Sequence, residues 1–266
     1  SAVLSKFQYP ELNQALNTLH TPAPGVSVNA LLNSPNPALK RLAFEEFIAH
    51  QLSQLKSKSL DKHWQAPELK CNQKQRQQFL NSLSFNLTNA QQRVIEEIKS
   101  DCASNSPMLR LIQGDVGSGK TVVSAYAALL ALSSNHQVAI MAPTELLAEQ
   151  HLRNFSLWFK EFDTNIIFLT GQLKGKKRQQ ALIDIADGSA GIIIGTHALF
   201  QDAVIFARLG LIIIDEQHRF GVNQRMALRD KGQYKNSKPH QLIMTATPIP
   251  RTLAMLNYAD LDISII

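Results

Sequence analysis

Cysteine is almost missing from this 266-residue chain, which carries only Cys71 and Cys102. Two isolated cysteines build neither a disulfide framework nor a thiolate zinc site, so a reducing compartment is the expected setting. Long hydrophobic runs are missing too. Nothing approaches the roughly 18 consecutive apolar residues of a membrane span, and no membrane partner is expected. The opening SAVLSKFQYP has no initiator Met and no apolar signal core. A cytoplasmic, monomeric piece of a longer protein is the expectation. Strong charge of either sign is also lacking. The net charge is +6 and the pI about 9.3, a mild basic excess that permits a nucleic-acid partner without requiring one. What the chain does have is apolar residues, 44% of the total, enough for a sizeable core.

The pattern changes near residue 86. Before it, TPAPG (21–25) and NSPNP (33–37) punctuate the chain as turns. Pro37 opens a helical stretch on which Leu39, Leu42, Phe44, Phe47, Ile48, Leu52 and Leu55 are expected to form one apolar face. A second, Gln-rich helix is expected over about 68–82. Residues 1–86 show no repeat and no catalytic grouping, and are assigned to packing or linking.

After residue 86, short apolar runs alternate with helical ones. The expected strands are 108–113, 137–142, 165–170, 191–196, 209–215 and 241–246. Each is rich in Ile, Leu and Val with little alternation, as in strands buried on both faces. That predicts an α/β fold, a parallel sheet flanked by helices. Ligands of such folds gather at the C-terminal ends of the strands, so the segments following each strand hold the candidates.

The first strand runs into GDVGSGKT, comprising Gly114, Asp115, Val116, Gly117, Ser118, Gly119, Lys120 and Thr121. A helical run follows. Strand, G-x-x-x-x-G-K-T and helix together predict a phosphate loop. The glycines let backbone N–H groups wrap a polyphosphate, and the helix N-terminus adds its positive dipole end. Lys120 is expected to reach the β- and γ-phosphates and the Thr121 hydroxyl to hold Mg²⁺.

Asp215 and Glu216 close the most apolar segment, LGLIIIDEQHRFGV. Adjacent carboxylates repel in a low dielectric, and a nucleotide-bound Mg²⁺ resolves the difficulty. Asp215 would hold the metal through a water, and Glu216 would polarise the attacking water as general base.

A phosphate loop alone names no function. The LSGGQ-like signature of an ABC-type ATPase and the NKxD of a GTPase are both absent from the sequence. With GDVGSGKT, the segments MAPTELLAEQH, IIDEQHRFGV and MTATPIPRTLAM make the sequence resemble the first motor lobe of a superfamily-two helicase, specifically of the RecG branch-migration helicase family. The likeness covers about residues 10–266 and is stronger from 87 onward.

The resemblance implies a RecA-like lobe over 87–266, and over 1–86 a helical connector between motor and DNA-reading wedge. It implies ATP with Mg²⁺ as cofactors, and branched double-stranded DNA as partner. Gln91 in LTNAQ corresponds to the adenine contact, although Thr88 and Gln91 equally fit a helix-capping box. Pro143, Thr144 and Glu145, then Thr170 and Gly171, then Gly195, Thr196 and His197 correspond to DNA-backbone contacts. Lys174, Lys176, Lys177 and Arg178 could add phosphate attraction or simply form a solvated face. Thr245, Ala246 and Thr247 correspond to the segment coupling ATP site to DNA, with His218 beside them as a γ-phosphate sensor or packed histidine. Arg219 and Phe220 follow in a loop like that of RecG-type motors.

The resemblance also implies that a wedge domain and a second motor lobe with charge-stabilising arginines complete the enzyme. The chain by itself is then expected to turn over ATP slowly. Two alternatives stay open at this point: the motor lobe of a transcription-repair coupling factor, and a nucleotide-binding module without turnover.

Overall fold

The structure is a computed structural model that describes residues 6–22, 24–27, 36–61, 64–216, 231–232, 237–247 and 261–266. The chain divides into two compact units, 1–59 and 60–266.

In the first unit, α1 (Leu12–His20) and α2 (Pro37–Asp61) are the described helices. Pro37 takes the first helical position, where its missing N–H costs nothing, and the Asn36 side chain accepts from the Ala38 N–H at 2.9 Å. Phe44 packs on Phe7 and Tyr9 with ring centroids 6.0 and 5.3 Å away. The single apolar face expected on α2 is not formed. Phe47 and Leu52 are 53% and 60% exposed. At 100° per residue Leu42 and Phe44 point to nearly opposite sides of a helix, so these apolar positions spread around the axis.

The second unit begins with an extended strap over 64–71, where a helix was expected from about 68. Its backbone is taken up elsewhere in the unit. The N–H groups of Ala66 and Leu69 donate to the carbonyls of Asn105 and Cys102, and that of Lys70 to the Ser134 hydroxyl. The Gln-rich helix α3 starts only at Gln73 and runs to Asn81. Asn72 and Gln75 form a reciprocal capping box that sets this start. Phe79 then buries against Tyr126 and Phe159, with centroids 5.9 and 5.7 Å apart.

The remaining helices are α4 (Asn89–Cys102), α5 (Lys120–Ser133), α6 (Glu145–Trp158) and α7 (Gly175–Asp187). The strands are β1 (Leu109–Gln113), β2 (Gln137–Met141), β3 (Asn165–Leu169), β4 (Ala190–Gly195), β5 (Leu209–Asp215), β6 (His240–Thr245) and β7 (Asp262–Ile265). They form one sheet in the order β3-β4-β2-β5-β6-β1-β7, with every pairing parallel. Six strands match the expected segments; β7 was not anticipated. Side chains alternate between two cores, as in a strand covered on both faces. On β5, Leu211 and Ile213 join α3–α6 on one face, while Ile212 and Ile214 join α7 on the other.

His240, at the N-terminal end of β6, anchors the strap. Its Nδ1 accepts from the Met108 N–H at 3.0 Å and its Nε2 donates to the Pro67 carbonyl at 2.7 Å. Burial pushes its pKa below the ordinary 6.5. Both cysteines are free, and burial raises the Cys102 thiol to about 12.

Candidate nucleotide site and nucleic-acid edge

Strand order and register decide which loops meet. Gln113 is in register with Thr245, and Asp215 with Met244. The ends of β1, β6 and β5 therefore lie side by side, bringing together the loop after Gly114, the Thr245 segment and the acid pair. On the other half of the sheet Gly195 is in register with both Met141 and Leu169. The ends of β2, β4 and β3 are adjacent too, and they carry Pro143–Glu145, Thr196–His197 and Thr170–Gly171.

The Gly-rich loop turns through left-handed backbone at Gly117 and Gly119, with φ of +83° and +89°, a region that favours glycine. Gly119 is needed for space as well, since a Cβ there would stand 2.2 Å from Gln91 Nε2. Asp115, Val116 and Gly117 form the exposed tip, and Gly114 is buried at the base. Its N–H donates to the Thr245 carbonyl at 3.3 Å.

The loop fits a polyphosphate on its own geometry. Gly119 caps α5 with no side-chain acceptor, so the Lys120 and Thr121 N–H groups are open to an anion, while the Val122 N–H turns back to the Gly119 carbonyl at 3.2 Å. The Ser118 hydroxyl is buried without a hydrogen-bond partner among the described residues. Lys120 Nζ donates to the carbonyls of Gly114 and Asp115 at 2.7 and 2.9 Å, which leaves one of its three donors for a phosphate. Thr121 lies half-buried in the first turn of α5.

Gln91 takes the capping role open to it and adds a bond to the phosphate loop. Its Oε1 accepts from the Thr88 N–H and the Thr88 hydroxyl accepts from the Gln91 N–H, a capping box for α4. Its Nε2 donates to the Ser118 carbonyl at 2.8 Å. The amide thus ties the start of α4 to the phosphate loop.

Glu216 adopts φ +50°, which is costly for a residue with a Cβ. The turn is held by its N–H, which donates to the Met244 carbonyl. Its carboxylate accepts from the Ala246 N–H at 3.0 Å and from the Thr245 hydroxyl at 3.3 Å. Thr247 joins through a 2.8 Å hydroxyl contact to Thr245. Glu216, Thr245, Ala246 and Thr247 form one hydrogen-bonded network. His218, Arg219 and Phe220 lie outside the described residues.

At the other half, Thr144 caps α6 by accepting from the Leu147 N–H, and Glu145 accepts from Gln172 Nε2 at 2.5 Å. Thr144, Gly171 and His197 are exposed, whereas Thr170 and Thr196 are buried beneath them. Lys174, Lys176 and Lys177 are exposed around the start of α7, and Arg178 bonds Gln201.

One residue of the site was not anticipated. His151 on α6 donates from Nε2 to Asp215 Oδ2 at 2.8 Å. The signal was there: His151 falls on the buried stripe Ala148–His151–Phe155–Trp158 of an amphipathic helix, where apolar residues are the rule.

A parallel sheet with a phosphate loop after β1, and an acid pair two strands away, defines a RecA-like nucleotide-binding lobe. The family model for DEAD/DEAH box helicases matches residues 88–256, and the chain belongs to that family. Curated relatives refine the likeness. The ATP-dependent DNA helicase RecG of Haemophilus influenzae is 53% identical over 255 residues, covering 96% of this chain and 37% of the relative. That of Escherichia coli K12 is 52% identical, covering 97% and 38%. The chain thus spans under two-fifths of the length of these relatives. A solved structure of RecG bound to a three-way DNA junction superposes with a TM-score of 0.74 at 41% identity, over 86% of this chain and 30% of that one. The helicase MrfA bound to DNA, at 17% identity and a TM-score of 0.59, covers 76% of this chain and 31% of its own, and shares the fold. Among the described residues no helix is long and apolar enough to cross a membrane.

Proposed function

We propose that this chain is the ATP-binding motor lobe of an ATP-dependent helicase acting on branched DNA, in fork regression and Holliday-junction migration during recombination and repair. The observation that carries the reading is the convergence of three strand ends. The loop from Gly114 to Thr121, the acid pair and the Thr245–Thr247 segment share one edge of the sheet, and Thr245 and Ala246 hold Glu216. The 53% identity to a RecG helicase and the likeness to RecG on a three-way junction support the choice of substrate.

In this reading Lys120 and the open N–H groups of α5 bind the β- and γ-phosphates. Thr121 and Asp215 hold the metal. Mg²⁺ bound there neutralises phosphate charge during transfer. Glu216 takes the proton of the attacking water, and its network with Thr245–Thr247 makes that position sensitive to the DNA side. Gln91 reads the adenine edge while it ties α4 to the loop. Thr144, Gly171 and His197 meet the DNA backbone directly, with Pro143, Glu145, Thr170, Gly195 and Thr196 shaping the turns that present them. None of these is placed to read sequence, which suits a motor. Residues 1–86 connect to a wedge domain. A second motor lobe supplies arginines to the transferring phosphate. The enzyme works in the cytoplasm as a monomer.

ATP turnover tests this, measured with and without a forked duplex, for this chain and for a longer form that also carries wedge and second lobe. Fork-stimulated turnover confined to the longer form, and abolished by Lys120→Ala, is the expected result. A longer form indifferent to forked DNA would overturn the substrate assignment.

A further inference from the structure

The roles proposed above leave His151 without a task. Its side chain is 5% exposed and that of Asp215 is 14% exposed, so their 2.8 Å hydrogen bond lies largely out of water. The Asp215 carboxylate oxygen accepts, hence Nε2 carries the hydrogen. Phe155 stands edge-on to the imidazole, with centroids 6.4 Å apart. A histidine that only filled space here would bury a polar ring at a cost. Its Nδ1 is buried without a partner among the described residues, while its Nε2 occupies one carboxylate oxygen of the residue assigned to the metal. Oδ1 takes no protein hydrogen bond among the described residues.

We propose that His151 is a positioning residue for the metal-holding carboxylate. By binding Oδ2 it fixes the Asp215 rotamer and leaves Oδ1 for the metal's water shell. Partners of this kind orient metal-binding groups and set their affinity. His151 makes α6 the element that determines the geometry. Thr144, placed above at the DNA backbone, caps the N-terminus of the same helix, about 10 Å from His151 along its axis. A helix moves as a stiff rod, so a displacement at Thr144 reaches Asp215 through one hydrogen bond. The proposal rests on the reading of Asp215 as a metal-holding residue.

The test follows binding of a fluorescent ATP analogue to this chain as Mg²⁺ is titrated, with a parallel series in EDTA. Wild type, His151→Gln, His151→Leu and Lys120→Ala are compared. His151→Leu is expected to need about 10–100-fold more Mg²⁺ for half-saturation, with metal-free binding unchanged. His151→Gln, which keeps an N–H donor, is expected near wild type. Wild-type Mg²⁺ dependence in His151→Leu overturns the proposal, as does parallel loss of metal-free and metal-dependent binding. Should His151→Leu fail to fold, imidazole ¹⁵N spectra of the wild-type chain decide. The resonance missing from His151→Gln must shift when Mg²⁺ is added to the nucleotide-bound chain, and a static resonance overturns the proposal. If the wild type shows no Mg²⁺-dependent binding, or Lys120→Ala binds like wild type, the nucleotide reading itself fails and takes the role of His151 with it.

Discussion

The two halves of the sheet's C-terminal edge are built differently. The β5–β6–β1 half is cross-linked: Gly114 to Thr245, Glu216 to Met244, Thr245 and Ala246, and Gln91 to Ser118. It also holds strained backbone at Glu216. The β3–β4–β2 half is tied by fewer bonds, Gln172 to Glu145, Arg178 to Gln201 and Ala142 to Gly195, and presents three exposed groups, Thr144, Gly171 and His197. A site that must hold charge at fixed positions needs preorganised donors. A surface that grips an irregular, moving backbone needs reachable groups, with sequence-blind contacts. The β2–β5 pairing and the His151–Asp215 bond join the two halves.

The largest way to break this comparison is Glu216→Gln. In a form of the enzyme that hydrolyses ATP, turnover should fall by about 10²–10⁴-fold, the worth of a general base. Nucleotide affinity should hold, because the amide still accepts from Ala246. Retained turnover, measured by phosphate release, would remove Glu216 from the chemistry. Lys120→Ala comes next, with a loss of roughly 100-fold in nucleotide affinity from charge-assisted hydrogen bonds, read by titration of a fluorescent analogue.

A pair of glycines sharpens the contrast. Ala at Gly119 meets the movable Gln91 amide at 2.2 Å, whereas Ala at Gly195 meets the Leu169 backbone carbonyl at 2.1 Å. Gly195→Ala should therefore lower stability by about 1–3 kcal/mol through forced separation of β3 and β4, seen in urea unfolding, with nucleotide affinity kept. Gly119→Ala should chiefly weaken nucleotide binding. Equal effects of the two on affinity would mean the halves are not separable. Thr144→Ala is expected to cost about 1 kcal/mol as a lost helix cap.

The smallest effect concerns neither half, since His240 sits at the opposite edge of the sheet. Its pKa is lowered in the folded protein, so below pH 6.5 the unfolded chain binds the proton more readily. Stability is then full above 6.5 and declines as pH falls below it. Burial lowers His136 in the same direction. The urea midpoint should drop between pH 7.5 and 5, less steeply in His240→Gln.

Much of this was legible in residue order. Strands buried on both faces announce themselves as Ile/Leu/Val runs, and the phosphate loop and acid pair have fixed local spacings. What escaped depended on tertiary partners. The four residues of β7 alternate weakly, and only β1 beside them makes them a strand. The strap over 64–71 takes its hydrogen bonds from residues 33 to 173 positions away. The left-handed turn at Glu216 has no residue-type signal, since glycine would be the ordinary choice there. His151 looked like one more helix residue until the fold set Asp215 in front of it.

The placement of β1 also governs when the phosphate loop can exist. Its two neighbours, β6 and β7, come from residues 240–245 and 262–265, over a hundred positions later. On a ribosome adding about 5–20 residues per second, the loop's supporting strand waits on the order of ten seconds for its flanks. Until then a Val- and Leu-rich α5 and an unpaired strand edge are exposed together. Nucleotide is therefore expected to stabilise this lobe late, once β6 has come to stand beside β1 and Thr245 to hold Gly114.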